Sequence, residues 1–307
     1  MAETHEHRNF LPAEFAEWQR AHSDLVLVDV RLPEDFAAMH PPGAVNNCVF
    51  EVDFVERMKV LALNLKGPVC CYGTAEGSVE SRVAAEKLRR AGYQSVFDLT
   101  AGIAGCEAAG LPMDRQGPLP ITPEPRDGTY AVDLAESWVE WSGRNLLNAH
   151  HGRIALQRGS IFVRNGQLAG GEFVFGMNAI TCQDLAGSPL HDVLIAHLRS
   201  ADFFDTARFP EAKLAVTDVS IPEHATPGSP NLSVTGDLTL NGVTHAIQFA
   251  ACAGVAPDGK LAAQAEFHLD RWRWNVIYGS GRFFQRLGGH LVNDLIGICL
   301  RIVTSRA

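Results

Sequence analysis

Apolar and polar positions alternate most sharply over Asn231–Ala250, NLSVTGDLTLNGVTHAIQFA. Asn241-Gly242 is a two-residue type I′ turn signal, because both positions tolerate positive φ. Pairing outward from it sets Leu240 opposite Val243, Leu238 opposite His245 and Val234 opposite Phe249. Leu232, Val234, Leu238, Leu240, Val243, Ile247 and Phe249 then share one face, which needs an apolar interior to cover it. His245 falls on that same face.

Upstream the pattern is different. Leu11, Phe15 and Trp18 have helical spacing and predict a short helix. Leu25–Val30 is a continuous apolar run, as expected of a strand buried on both faces. A helix is predicted after Pro33, a short strand near Val45–Val49 and a helix around Phe54–Leu63. Val69–Tyr72 reads as a second buried strand. A helix over Val79–Ala91 follows, with Ser78 as its cap and Gly92 closing it. Ser95–Leu99 reads as a strand and Ile103–Ala109 as a helix. Strands alternating with helices predict an α/β domain over residues 1–113, a parallel sheet with helices on both faces.

Residues 114–127 carry Pro118, Pro120, Pro123 and Pro125. That density excludes a helix or a central strand and predicts a semi-rigid spacer. From residue 128 to 307 strands follow in series. They are Thr129–Asp133, Ser137–Gly143, Gly152–Arg158, Ser160–Arg164, Gly171–Asn178, Lys213–Ile221, the two hairpin arms, Leu261–Asp270 and Leu295–Val303. One helix, Leu190–Leu198, interrupts them. The series predicts an antiparallel barrel or sandwich.

Composition narrows the picture. The chain has 307 residues, 46% of them apolar, and a formal net charge of −9. The length suits two domains. The negative charge argues against a nucleic-acid surface. The start shows no apolar leader and no run approaches the length of a membrane span, so neither is expected. Seven cysteines, with Cys70 and Cys71 adjacent and no C-x-x-C pair, suit reduced thiols in a cytoplasmic setting.

LVLVDVRLPEDFAAMHPPGAVN, with Asp29, Arg31, Glu34, His40, Gly43 and Ala44 in order, resembles the opening of a rhodanese-like domain. PVCCYG and SRVAAEKLRRAGYQSVFDLTAGIAGCEAAGLP resemble its second half. The resemblance implies a nucleophilic cysteine directly after the strand's tyrosine, in a loop that feeds a helix N-terminus. Here that residue is Gly73, which has no sulfur to carry a persulfide. The active-site loop would be Gly73, Thr74, Ala75, Glu76, Gly77 and Ser78. Cys106 stands where the family has a later tryptophan. The resemblance therefore carries over the fold and not the catalytic residue. Cys70 and Cys71 read as small buried hydrophobes, with Cys71 the alternative nucleophile if the strand slides. Glu76 and Glu80 oppose an anion in the loop.

HLRSADFFDTARFPEA (197–212), VTGDLTLNGVTHAI (234–247), LDRWRWNVIYGSG (269–281) and VNDLIGICLRI (292–302) resemble the YceI-like family. That implies a lipocalin-like antiparallel β-barrel whose interior holds a long apolar chain such as a polyisoprenoid. The inward residues would be Trp141, Phe173, Phe175, Leu238, Leu240, Val243, Ile247 and Phe267, with His245 a polar tip at the mouth. The alternative is that these side chains fill the barrel. Eight of the 12 histidines lie in this domain, but none has the spacing of a zinc motif. No metal or cofactor is expected. Asp270 and Arg271 are expected to pair near a strand end. Three functions stay open: a binding protein for an amphiphilic or isoprenoid-like lipid, a thiol enzyme using Cys71, and an interaction module with a filled barrel. The expected partner is a lipid-like or amphiphilic small molecule, not nucleic acid, and a homodimer is left open.

Overall fold

A computed structural model describes residues 10–305, apart from 11, 119, 121, 122, 227 and 257. The chain divides into two compact units, residues 1–121 and 122–307, and the boundary falls inside the proline-rich stretch.

The first unit alternates strands and helices. In chain order they are α1 (Pro12–Ala21), β1 (Val26–Asp29), α2 (Pro33–Ala38), β2 (Met39–His40), β3 (Val45–Asn46), α3 (Phe54–Leu61), β4 (Pro68–Tyr72), α4 (Glu80–Arg90), β5 (Ser95–Leu99), α5 (Gly102–Ala108) and β6 (Asp114–Arg115). Four strands form a parallel sheet in the order β3-β1-β4-β5. Of the helix predicted from Leu11, Phe15 and Trp18, Leu11 lies outside the described residues.

Side chains of β4 alternate between two cores. Val69 and Cys71 pack with Val28, Phe54, Met58, Ala84 and Leu88. Cys70 and Tyr72 pack with Phe10, Phe15, Leu99 and Ile103 on the other face. Burial on both faces is why β1 and β4 read as unbroken apolar runs.

Two details differ from expectation. Ser78 does not cap α4: the cap position is Val79, without a side-chain bond, and the Ser78 amide instead closes a turn onto Ala75 O at 3.1 Å. Asp114–Arg115 pairs antiparallel with Met39–His40, so the chain stays attached to this unit past residue 113.

The second unit contains β7 (Gly128–Ala131), β8 (Trp138–Arg144), β9 (Ala149–Arg164), β10 (Gln167–Gly176), α6 (Pro189–Arg199), β11 (Glu211–Ser220), β12 (Leu232–Leu240), β13 (Val243–Val255), β14 (Leu261–Asp270) and β15 (Leu295–Val303). From β8 to β15 each strand pairs antiparallel with the next, and β15 returns to β8. The result is a closed eight-stranded up-and-down barrel, in which each of these eight strands has a neighbour on both sides. The β12–β13 register is Leu240 to Val243, Leu238 to His245 and Val234 to Phe249. Asn241 and Gly242 have φ of 50° and 73°, a type I′ turn.

Residues 152–164, expected as two strands, lie in one 16-residue strand. Gly159 is not a break. A Cβ there would come within 2.9 Å of Phe173 and Val132, so the glycine permits close packing. The length of β9 lets it pair with β8 through its first part and with β7 and β10 through its second.

Candidate functional site

Connections alternate between the two ends of an up-and-down barrel. One end collects the β8–β9 turn, the β12–β13 turn, the long segment 177–210 that carries α6, and the long segment 271–294. These long segments fold over that end. Below them the lumen contains a cavity of about 260 Å³. A second chamber of about 80 Å³ lies toward the opposite end. Val139, Phe175, Leu214 and Leu300 line both, so they form the wall that the two chambers share. A dry apolar cavity of about 150 Å³ already admits a benzene-sized ligand, and the larger chamber exceeds that.

Of the expected lining residues, Trp141, Phe175, Leu238, Leu240, Ile247 and Phe267 border the larger chamber. Phe173 borders only the smaller one. Val243 and His245 border neither. Val243 packs against the cluster of Leu214, Leu238, Ile247 and Trp274. His245 sits edge-on to the Trp274 indole, 5.7 Å between ring centroids. Trp274 is fully buried and donates from Nε1 to Leu238 O at 2.9 Å. It therefore stands between His245 and the lumen.

Several lining residues lie outside the barrel strands. His197 and Leu198 come from α6, where His197 makes edge contacts with Phe203 and Tyr278 at 4.9 and 4.5 Å. Trp274, Val276 and Tyr278 come from the irregular segment after β14. Their common mark is the LDRWRWNVIYGSG motif, which has no strand or helix period.

Arg271 borders the chamber and is 3% exposed. Its guanidinium donates to Asn293 O, Val276 O and Val292 O at 3.0, 2.7 and 3.1 Å. Its nearest carboxylate is Asp294, at 3.5 Å, while Asp270 lies 3.7 Å from Arg282. The expected Asp270–Arg271 pair is thus replaced by two longer-range pairs. Burial pulls the Arg271 pKa down, against the charges of Asp294 and Asp270. With its donors aimed at carbonyls, Arg271 fixes the segment 271–294 over the lumen. Toward the opening the lining becomes polar, with Arg144, Asn145, Asn148 and His150.

In the first unit, Gly73 is buried at the end of β4. Its carbonyl accepts from Ile103 N at 3.0 Å, and Thr74 O accepts from Ala104 N at 3.1 Å. Gly102, at φ 60°, makes this approach feasible, since a Cβ there would lie 2.6 Å from Ala75 N. A Cβ on Gly73 would lie 2.9 Å from Glu80 Oε2 and 3.0 Å from Ser78 Oγ. The protein's own carboxylate thus occupies the space above Gly73. Cys71 is fully buried, and burial, with Asp98 nearby, pushes its thiol up to about 12. It faces the α3/α4 side of the sheet rather than the loop.

An apolar, chambered lumen in a closed antiparallel barrel places the second unit in the lipocalin-like class. The chain belongs to the YceI-like domain family, which matches residues 130–304, more than half its length. A rhodanese-like domain matches residues 11–109. A UPF0312 protein of Shewanella denitrificans is 49% identical over 55 residues, 18% of this chain and 26% of that protein. Protein YceI of Escherichia coli is 46% identical over 55 residues, with the same coverage. The chain thus spans about a quarter of the length of these curated relatives. Among solved structures, BcnA of Burkholderia cenocepacia is 18% identical with a TM-score of 0.46, covering 57% of this chain and 99% of its own. A polyisoprenoid binding domain from Saccharophagus degradans is 14% identical with a TM-score of 0.42, covering 58% and 98%. Thiosulfate sulfurtransferase from Pseudomonas aeruginosa is 27% identical with a TM-score of 0.31, covering 34% and 19%. Among the described residues no helix is long and apolar enough to cross a membrane.

Proposed function

We propose that the barrel binds one long apolar chain, of alkyl or prenyl type, with its polar end at the Arg144–His150 rim. The observation that carries this is the pair of adjacent chambers lined almost wholly by carbon; the residues they share, Leu214 among them, form the neck between them in this reading. A ten-carbon stretch buried there contributes about 8 kcal/mol before ordering costs, which reduce it substantially. Seven free thiols suit a reducing, cytoplasmic setting. Native mass spectrometry of detergent-free protein tests the reading. The expected spectrum shows a lipid-mass adduct at one per chain. Its absence, both as purified and after incubation with a prenyl alcohol, would favour the filled scaffold.

The rhodanese-like unit, in this reading, does not transfer sulfur. Gly73 offers no nucleophile, and Glu80 repels an anion from the place where one would bind. Cys71 does not substitute for it. With a pKa near 12, about one Cys71 thiol in ten thousand is ionised at pH 8, and that fraction rises with pH. Iodoacetamide at pH 8 should leave Cys70 and Cys71 unlabelled in the native chain and label both in urea. Sulfur transfer from thiosulfate to cyanide should stay at background. A rate above background that is lost in Cys71→Ser would restore the thiol-enzyme reading.

A further inference from the structure

The β8–β9 turn is held by Asn145, whose Oδ1 accepts from the amides of Leu147 and Asn148 at 2.9 and 2.7 Å. Two histidines, His150 and His151, follow at the start of β9. Their edge of β9 is free of β10, which pairs only from Ala155 onward. The segment after β10 takes that edge instead. Thr181 N donates to Arg153 O at 2.9 Å, and Gln183 N donates to His151 O at 2.8 Å. Gly152 allows it, because a Cβ there would stand 1.8 Å from Thr181 O. Trp141 Nε1 fixes the same carbonyl at 3.0 Å.

This lateral pairing brings together groups that are far apart in sequence. His150 Nδ1 lies 2.8 Å from Asp184 Oδ2, and His151 Nδ1 lies 3.6 Å from Asp184 Oδ1. The Cys182 thiol donates to Asp184 Oδ1 at 3.2 Å. One ligand atom each from His150, Cys182 and Asp184 fall within 4.8 Å of one another. Imidazole, thiolate and carboxylate are the donors that zinc takes. Bond lengths of 2.0–2.3 Å around a tetrahedral ion put its ligand atoms roughly 3.3–3.7 Å apart.

We propose that His150, Cys182 and Asp184, with His151 beside them, bind a transition-metal dication of the zinc type. This replaces the expectation of no metal. No helical or C-x-x-C spacing announced the site, because it is made by a strand edge and a segment some thirty residues later. The elements for ion binding are present. Asp184 is held by the His151 amide at 2.8 Å, which orients the carboxylate. Cys182 is buried, while the His150, His151 and Asp184 side chains are 37%, 57% and 22% exposed, so an ion can reach the site from solvent. His150 also borders the barrel's larger chamber, so a bound ion would stand at its rim. The site stands independently of what the barrel holds.

The test is cobalt titration of the full chain after EDTA treatment. One equivalent of Co²⁺ should produce an intense near-ultraviolet thiolate-to-cobalt band, and Zn²⁺ should bleach it. Cys182→Ser should lose the band, and Cys252→Ser should keep it. His150→Ala, at a half-exposed ring, and Asp184→Asn should each weaken Co²⁺ binding by about tenfold or more. Should Cys182→Ser fail to fold, the His150→Ala comparison carries the same decision. No band in the wild-type chain, a band that survives Cys182→Ser, or Co²⁺ affinity unchanged in His150→Ala would overturn the proposal.

Discussion

Arg31→Met is expected to destabilise the first unit by about 3–5 kcal/mol, the cost of breaking a buried ion pair on one side. Asp29 and Arg31 are 0% and 2% exposed. The Arg31 backbone amide donates to Asp29 Oδ1 at 3.0 Å, and its Nη2 to Oδ2 at 2.6 Å. The same Nη2 donates to Met39 O at 2.7 Å, tying the end of α2 to the sheet. Burial lowers the Arg31 pKa, and the Asp29 bond and charge more than reverse it. Methionine keeps much of the volume but leaves a buried carboxylate with no counter-charge. Hydrogen exchange at β1 and β4 amides should accelerate by roughly two to three and a half orders of magnitude. The double variant Asp29→Leu/Arg31→Met should recover most of the protection, since a hydrophobic pair can replace a buried ion pair at little cost. Exchange within tenfold of wild type in Arg31→Met would mean that the pair is not integral to the sheet.

The pair also shows what the sequence could disclose. Asp29 and Arg31 were legible as motif positions, and β1 and β4 as apolar runs, because burial on both faces removes polar residues from a strand. The β12–β13 register was legible to the residue, because Asn241-Gly242 permits one turn geometry and alternation does the rest. Irregular backbone left no such trace. Trp274, Tyr278 and Arg271 border the lumen from a segment whose path is set by carbonyl contacts to Arg271, and no period encodes those contacts. His245 was placed on the correct face, yet Trp274 from another part of the chain intervenes. Glu80 was legible as a charge opposing an anion in the loop. Only the fold shows its carboxylate above Gly73. Asp184 reaches His150 through a lateral pairing that Gly152 permits, and a lone glycine after two histidines does not announce it.

Leu214 is the position where the binding proposal is most exposed to failure. It is 7% exposed, sits opposite Leu238 across β11–β12, and borders both chambers. Three substitutions there separate the explanations. Leu214→Glu puts a carboxylate into an apolar stretch of the lumen, at a cost of several kilocalories per mole if it stays charged. Chain binding should fall by about a thousandfold or more near pH 7, which corresponds to about 4 kcal/mol. Desolvation raises the pKa of such a glutamate, so its neutral form gains as pH falls through that raised value. Binding should therefore partly return toward acid pH. Leu214→Trp closes the neck with a large uncharged ring. It should confine ligands to the larger chamber and shift the co-purified population to shorter chains, with an overpacking cost of about 1–3 kcal/mol in stability. Leu214→Ala opens the neck and should retain long chains, while costing about 2–5 kcal/mol through the cavity it leaves. Fluorescent-lipid displacement gives the affinities, and circular dichroism shows that each variant is folded. A folded Leu214→Glu protein that binds as the wild type does, with Leu214→Trp also unaltered in chain length, would mean that nothing passes the neck. The two chambers would then be packing voids in a filled barrel.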